Sequence, residues 1–291
     1  MFVLAQMSDL HMASSPRLSE LANKRALGFI NWQRKRKFIH RPEVLAAITR
    51  DVKAQAPDHI AVTGDLINLS LPAEFRRAEV WLGALETPRN LTVIPGNHDV
   101  YIRAAERLPA VFWGEYMRGD DGREGFPFVR RRADVALIAL STGVPTGPFM
   151  ATGRLGREQL TRFAETLEQT RALFRIVLIH HPPASPPRRY MRRLVDAADL
   201  RQVLTEHGAE LLIHGHNHER AVIRLGGPRG TIIPAVGAPS ASALRPHGHE
   251  NAGGYNIYRI DGGAGAWRCE MIARERGADG AIREVGRQTL S

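Results

Sequence analysis

Short apolar runs alternate with amphipathic stretches through the first two thirds of the chain, and then the texture changes. Residues 2–7 form an apolar run that predicts a buried strand. Residues 42–55 place Val44, Leu45, Ile48 and Val52 at helical spacing behind a proline in the first turn, and predict a helix. The same reading predicts strands over 59–63, 91–94, 175–179 and 210–213, and a strand pair over 126–131 and 134–140. It predicts helices over 72–85, 157–170 and 200–207. From residue 219 onward, 221–225, 230–234, 255–260 and 266–272 read as strands between Gly-rich turns, with almost no helix. The pattern predicts an α/β protein, a four-layer α/β/β/α sandwich of two mixed β-sheets flanked by helices. No repeat or low-complexity linker interrupts it. Residues 1–291 are therefore expected to form a single domain, with a basic insertion at about 12–40 and a strand-rich C-terminal part from about 219. The pattern leaves residues 12–40 and the loop 237–254 open.

Composition narrows the class. A hydrophobic content of 43% with 24% charged residues is that of an ordinary globular protein. The single cysteine, Cys269, excludes an intrachain disulfide and a thiolate metal cluster. No run approaches the ~20 apolar residues of a membrane span. Residues 2–7 are too short for a secretory leader and run straight into Asp9. The expected location is cytoplasmic, with peripheral attachment at the inner membrane surface left open. The formal charge of +10 favours anionic partners without choosing among phosphate esters, nucleic acid and acidic lipid.

Five short polar blocks follow predicted strands: Asp9-Leu10-His11, Gly64-Asp65, Gly96-Asn97-His98-Asp99, His180-His181-Pro182 and Gly215-His216-Asn217-His218. Carboxylate, amide and imidazole are the donors that hold borderline divalent metals. Strand ends are where α/β folds gather functional groups. A carboxylate such as Asp65 can hold two cations ~3.5–4 Å apart with its two oxygens. In extended chain, Asp9 and His11 would leave the backbone on the same side, and His216 and His218 share that spacing. The glycines before the ligands allow sharp turns.

In order and content these blocks resemble the calcineurin-like metallophosphoesterase superfamily, from residue 9 to residue 218. The resemblance implies the metallophosphoesterase fold and two divalent metal ions. Asp9, His11 and His218 would hold the first ion, Asn97, His180 and His216 the second, with Asp65 bridging them. Mn, Fe, Zn or Co would suit such mixed donors. The ions would supply Lewis acidity and a water ionised near neutral pH for attack on phosphorus. His98 would serve the leaving oxygen as a catalytic proton donor, oriented by Asp99.

The compact spacing, the His180-His181-Pro182-Pro183 run and the tail around Tyr255 look most like the bacterial cyclic-nucleotide and glycerophosphodiester phosphodiesterase branch. The expected function is hydrolysis of cyclic nucleotides or similar small phosphodiesters. The first alternative is a hydrolase like the UDP-2,3-diacylglucosamine pyrophosphatases, acting on a membrane-associated lipid; many of those carry arginine where this chain has His98. The second is a non-catalytic binding scaffold, against which Asp65, Asn97 and His98 all speak.

The remaining candidates divide into site and surface. His181 is expected to face substrate or to stand behind the ligands, and His214 to be structural. His40, His59 and His207 are expected at the surface, and His247 and His249 in solvent. Arg189 and Arg192, in a cationic run after His180, are candidate substrate contacts, since guanidinium pairs well with phosphate. The segment 29–39 sets four consecutive cations between Trp32 and Phe38. It reads either as a solvated basic face with Trp32 on the core, as an interfacial helix at an anionic membrane, or as a nucleic-acid contact.

Overall fold

The computed structural model describes residues 1–21 and 24–290; residues 22 and 23, inside the expected basic insertion, lie outside the described residues. Two six-stranded mixed sheets form the centre. In chain order the first sheet takes β1 (Phe2–Met7), β2 (His59–Val62) and β3 (Leu91–Val93). The second takes β4 (Phe128–Arg132), β5 (Val135–Ala139), β6 (Phe174–Leu178), β7 (Leu211–His214), β8 (Ala221–Gly226) and β9 (Ile232–Gly237). The chain then returns to the first sheet as β10 (Gly254–Asp261), β11 (Arg268–Arg276) and β12 (Ile282–Thr289). The spatial orders are β12-β11-β10-β1-β2-β3 and β4-β5-β6-β7-β9-β8.

Strands β1, β2 and β3 run parallel, as do β5, β6, β7 and β9, while β10–β12, β4 and β8 run antiparallel to their neighbours. Parallel strands covered on both faces read as continuous apolar runs, which is why residues 135–139 and 174–178 are buried throughout. Their alternation still assigns the faces. Val135, Leu137 and Ala139 join the cluster between the sheets, whereas Ala136 and Ile138 join the cluster beneath the outer helices.

Around these sheets lie α1 (Lys24–Asn31), α2 (Lys37–Ile39), α3 (Pro42–Ala54), α4 (Pro72–Leu85), α5 (Leu108–Trp113), α6 (Arg157–Gln169) and α7 (Ala197–His207). Leu160, Phe163 and Leu167 of α6, with Leu200 and Leu204 of α7, cover the second sheet. Val44, Ile48 and Val52 of α3, with Phe75, Ala78 and Leu82 of α4, belong to the cluster of the first. Each of these side chains larger than alanine contributes ~1.5–3 kcal/mol relative to exposure. The four-layer sandwich is the observed architecture.

Among the described residues, and apart from short 3-10 turns, three elements were not predicted. Helix α5 is one, and β12 is another. The third is the helical stretch in the segment left open, where α1 continues through a π-helical turn (Trp32–Arg36) into α2. No helix among the described residues is long and apolar enough to cross a membrane.

Candidate active site

The five polar blocks all leave the carboxyl ends of parallel strands: β1, β2, β3, β6 and β7. The two sheets bring them to one place. His11 Nε2 lies 3.0 Å from His218 Nε2, and Asp9 Oδ1 lies 3.1 Å from His218 Nε2. Beside them, His180 Nε2 lies 3.4 Å from Asp65 Oδ2. Asp65 can share a cation with His180 and His216, and equally with His11 and His98.

The ligand loops are not extended, contrary to the expectation for Asp9 and His11. Asp9 (φ 54°), His11 (φ 47°), Asp65 (φ 53°), His216 (φ 69°) and His218 (φ 55°) all adopt left-handed backbone. Such non-glycine conformations cost ~1–3 kcal/mol each and persist where surrounding contacts over-determine them. Here Asp9 N donates to Gly64 O (2.9 Å), His11 N to Asp65 O (3.0 Å) and Ser240 Oγ to Asp9 O (2.6 Å). Of the three glycines, only Gly64 uses a positive φ, at 94°. Gly96 and Gly215 serve clearance instead, since a Cβ on either would overlap Asp65 or the Ser8–Asp9 pair.

The protein itself selects which imidazole nitrogen faces inward. His180 Nδ1 donates to Thr63 O (2.7 Å), and His216 Nε2 donates to Arg192 O (2.8 Å). His218 Nδ1 meets Glu250 Oε2 at 2.9 Å. The opposite nitrogens are thereby left for a ligand, the arrangement typical of metal-binding histidine. Among the described residues, two buried atoms of this site, His180 Nε2 and Asn97 Oδ1, have no hydrogen-bond partner. A buried polar atom without a partner costs ~1–3 kcal/mol, and a cation among these lone pairs would remove that cost. The donor set fits divalent metal. Burial opposes the charge on His180 and His218, yet Asp65 and Asp9 beside them raise both to about 9.

His98 is half-buried and stacks on Tyr101 at 5.5 Å between centroids. Its Nδ1 donates to Asn68 O (2.6 Å), so Nε2 is its free nitrogen. Burial, and then the Arg36 guanidinium, depress its pKa to about 3. The sequence led to the expectation that Asp99 orients His98, but its carboxylate turns elsewhere. Its Oδ2 accepts from Gly96 N (2.8 Å) and its Oδ1 from Ile67 N (3.1 Å), so the carboxylate clamps two ligand loops together. Burial and the nearby Asp65 raise it to about 8.

Several other candidates change place. His181 is buried behind His216, with Nδ1 on Thr142 Oγ1 (2.8 Å) and Nε2 on Ala151 O (3.1 Å), so neither nitrogen remains for substrate. Arg189 pairs with Glu219 and does not line the cavity. Arg192 does line it, with Nη2 donating to His216 O (3.0 Å). His59 is fully buried on Thr92 Oγ1 (2.8 Å), not at the surface. His40 packs against His11 at 4.4 Å between centroids and can share a cation with His11 and His218.

The cavity in front of these groups has a volume of about 340 Å³. Sequence reasoning missed several of its walls, and His247, expected in solvent, lines it too. Arg36 reaches it from the π-helical turn and donates from Nη1 to Asn68 Oδ1 (3.0 Å). Glu250 reaches it from the 237–254 loop. The signal for Arg36 was the cationic run itself; Glu250 gave none. A wider cleft of about 840 Å³ between α6 and α7 contains none of these residues.

Residues 2–220 match the sequence profile of the calcineurin-like phosphoesterases. The chain belongs to that family and is a phosphoester hydrolase of the metallophosphoesterase class. It is 25% identical over 274 residues to a probable cyclic nucleotide phosphodiesterase of Synechococcus sp., covering 92% of this chain and 91% of the relative. It is 34% identical over 103 residues to the glycerophosphodiester phosphodiesterase GpdQ of Enterobacter lignolyticus, covering 33% of this chain and 29% of that one. The fold is that of the purple acid phosphatase PPD1 from yellow lupin (TM-score 0.61, 14% identity), over 99% of this chain and 53% of that one.

Proposed function

We propose that the protein is a dinuclear metal-dependent phosphodiesterase acting on cyclic nucleotides or similar small phosphodiesters. One observation carries the reading: Asp65 lies within cation-sharing distance of His180 and His216 on one side and of His11 and His98 on the other, in the wall of one cavity. Asp9, His11 and His218 would hold one ion, Asn97, His180 and His216 the other, and Asp65 both. Bound divalent ions would supply Lewis acidity and a water ionised near neutral pH. The chain's own groups do the rest. Thr63 O, Arg192 O and Glu250 fix the ligand rings, and Asp99 fixes the loops beneath them. Arg36 and Arg192 line the cavity where phosphoryl oxygens would sit, and guanidinium suits that contact. His98 Nε2 is open toward the cavity and, because Nδ1 already donates to Asn68 O, would serve the leaving oxygen as a donor as imidazolium, the form that an anionic phosphodiester beside it favours. The diesterase names of the two sequence relatives support the substrate class.

The test is hydrolysis after reconstitution with Mn, Fe, Zn or Co, in wild type and Asn97→Ala. The substrates are bis(p-nitrophenyl) phosphate, p-nitrophenyl phosphate, 3′,5′-cyclic AMP and UDP-2,3-diacylglucosamine. Diester turnover that is lost in the variant is expected. Preference for the monoester would overturn the diester reading. Preference for the lipid substrate would favour the pyrophosphatase alternative, and no turnover with any metal the scaffold alternative.

A further inference from the structure

Three segments, 24–41, 143–153 and 183–195, contribute Arg36, Ala151 and Arg192 to the cavity wall. They are tied to one another: Lys24 Nζ donates to Thr146 O (2.9 Å), and Ala151 N donates to Met191 O (2.9 Å). None of the three contains an Asp or Glu, whereas two of them are rich in Lys and Arg.

Within the helical stretch, the exposed residues are Leu27, Ile30, Asn31, Arg34, Lys35 and Phe38. Their spacing alternates between three and one, which is a single helical face. Leu27 is 43%, Ile30 46% and Phe38 54% exposed. On the other two segments, Phe149 is 86% and Tyr190 61% exposed. Single exposed apolar residues need no explanation. These are grouped on three linked segments that wall one opening and carry cations but no carboxylate of their own; Glu250 lines the same cavity from the 237–254 loop, where it is paired with His218. The helical stretch cannot turn this face inward, because its other side is committed. Gly28 lies so close to Leu69 and Tyr101 that a Cβ would come within 2.6 Å of Leu69 Cδ2, and Arg25 Nε donates to Leu69 O (3.0 Å).

We propose that this rim docks on an anionic lipid bilayer, with the cavity mouth toward the membrane. The apolar side chains would enter the boundary between headgroups and acyl chains, and Arg34, Lys35, Arg188 and Arg193 would meet lipid phosphates. The inference goes beyond the phosphodiesterase reading and stands without it, since binding is measured separately from turnover.

The experiment is co-sedimentation of the full chain with phosphatidylcholine vesicles, without and with phosphatidylglycerol, at low and high salt. Wild type is expected to pellet only with the anionic vesicles and to be released by salt. Arg34→Glu should weaken partitioning by about fivefold or more, the weight of one cation near a charged surface. Ile30→Glu with Phe38→Glu should weaken it further while leaving turnover of bis(p-nitrophenyl) phosphate unchanged. If that pair fails to fold, Phe149→Glu, on a different rim segment, is read with the same expectation. Wild type that stays in solution with both vesicles overturns the proposal. So does equal pelleting with neutral lipid, or a folded rim variant that binds as wild type does.

Discussion

The guanidinium of Arg36 lies against the imidazole of His98, Nη1 to Nδ1 3.4 Å, although 62 residues separate them. Both nitrogens donate to Asn68: His98 to its carbonyl and Arg36 to its side-chain oxygen. One asparagine therefore sets the free edge of the histidine and the position of the cation together.

Arg36→Gln is expected to lower kcat/KM for a phosphodiester by about 10- to 100-fold. That is the weight of a hydrogen bond to a charged group, ~1.5–3 kcal/mol. Steady-state kinetics on bis(p-nitrophenyl) phosphate checks it, and a change within about twofold would deny Arg36 any contact with substrate.

Asp99 clamps loops without touching His98, so its loss should be felt in stability first. Asp99→Ala is expected to cost ~2–4 kcal/mol, because the Gly96 and Ile67 amides lose a buried acceptor. Urea unfolding checks this. Asp99→Asn, which keeps one acceptor, should cost less and leave the shape of the pH–rate profile unaltered. A profile displaced by Asp99→Asn would restore an acid–base role.

Glu250 holds His218 through the nitrogen that does not face the site. Partners of this kind typically contribute 10–100-fold to metal affinity. Glu250→Gln should weaken Mn binding by about that factor in a chelator competition, and unchanged affinity would reduce Glu250 to a surface acid. In wild type, chelation should abolish turnover and added metal restore it.

Cys269 is 1% exposed, and burial pushes its thiol up to about 12. At pH 8 only about one molecule in ten thousand would carry the thiolate. An aromatic disulfide reagent should leave the native protein unmodified and titrate one thiol after unfolding. Rapid labelling of the native protein would mean that β11 opens readily.

Much of the fold was legible because parallel strands buried on both faces must be apolar without interruption, and the polar blocks that end them stand out against that background. Edge and surface elements carry no such contrast. Strand β12 has only Ile282 and Gly286 at its less exposed positions, so its alternation is faint and the pairing with β11 decides its structure. The ligand blocks were readable as chemistry, but the supporting contacts were not. His59 is buried by a partner on a neighbouring strand, Asp99 turns away from the residue beside it, and Glu250 arrives from a loop of Gly, Ala, Pro and Ser. Each depends on tertiary proximity, which local sequence does not encode.

The π-helical turn at Trp32–Arg36 makes four adjacent cations unequal. Arg34 and Lys35 are exposed, Lys37 is held by Gln33 Oε1 (2.8 Å), and Arg36 bonds to Asn68 beside His98. Each residue of an α-helix advances ~100° around its axis. Inserting a single residue between Gly28 and Arg36, beyond the one that the π turn already absorbs, would therefore present a neighbouring cation to the cavity, or none. The length of this stretch acts as a selector: net charge would survive many substitutions here, but the identity of the cation at the site would not survive a one-residue insertion.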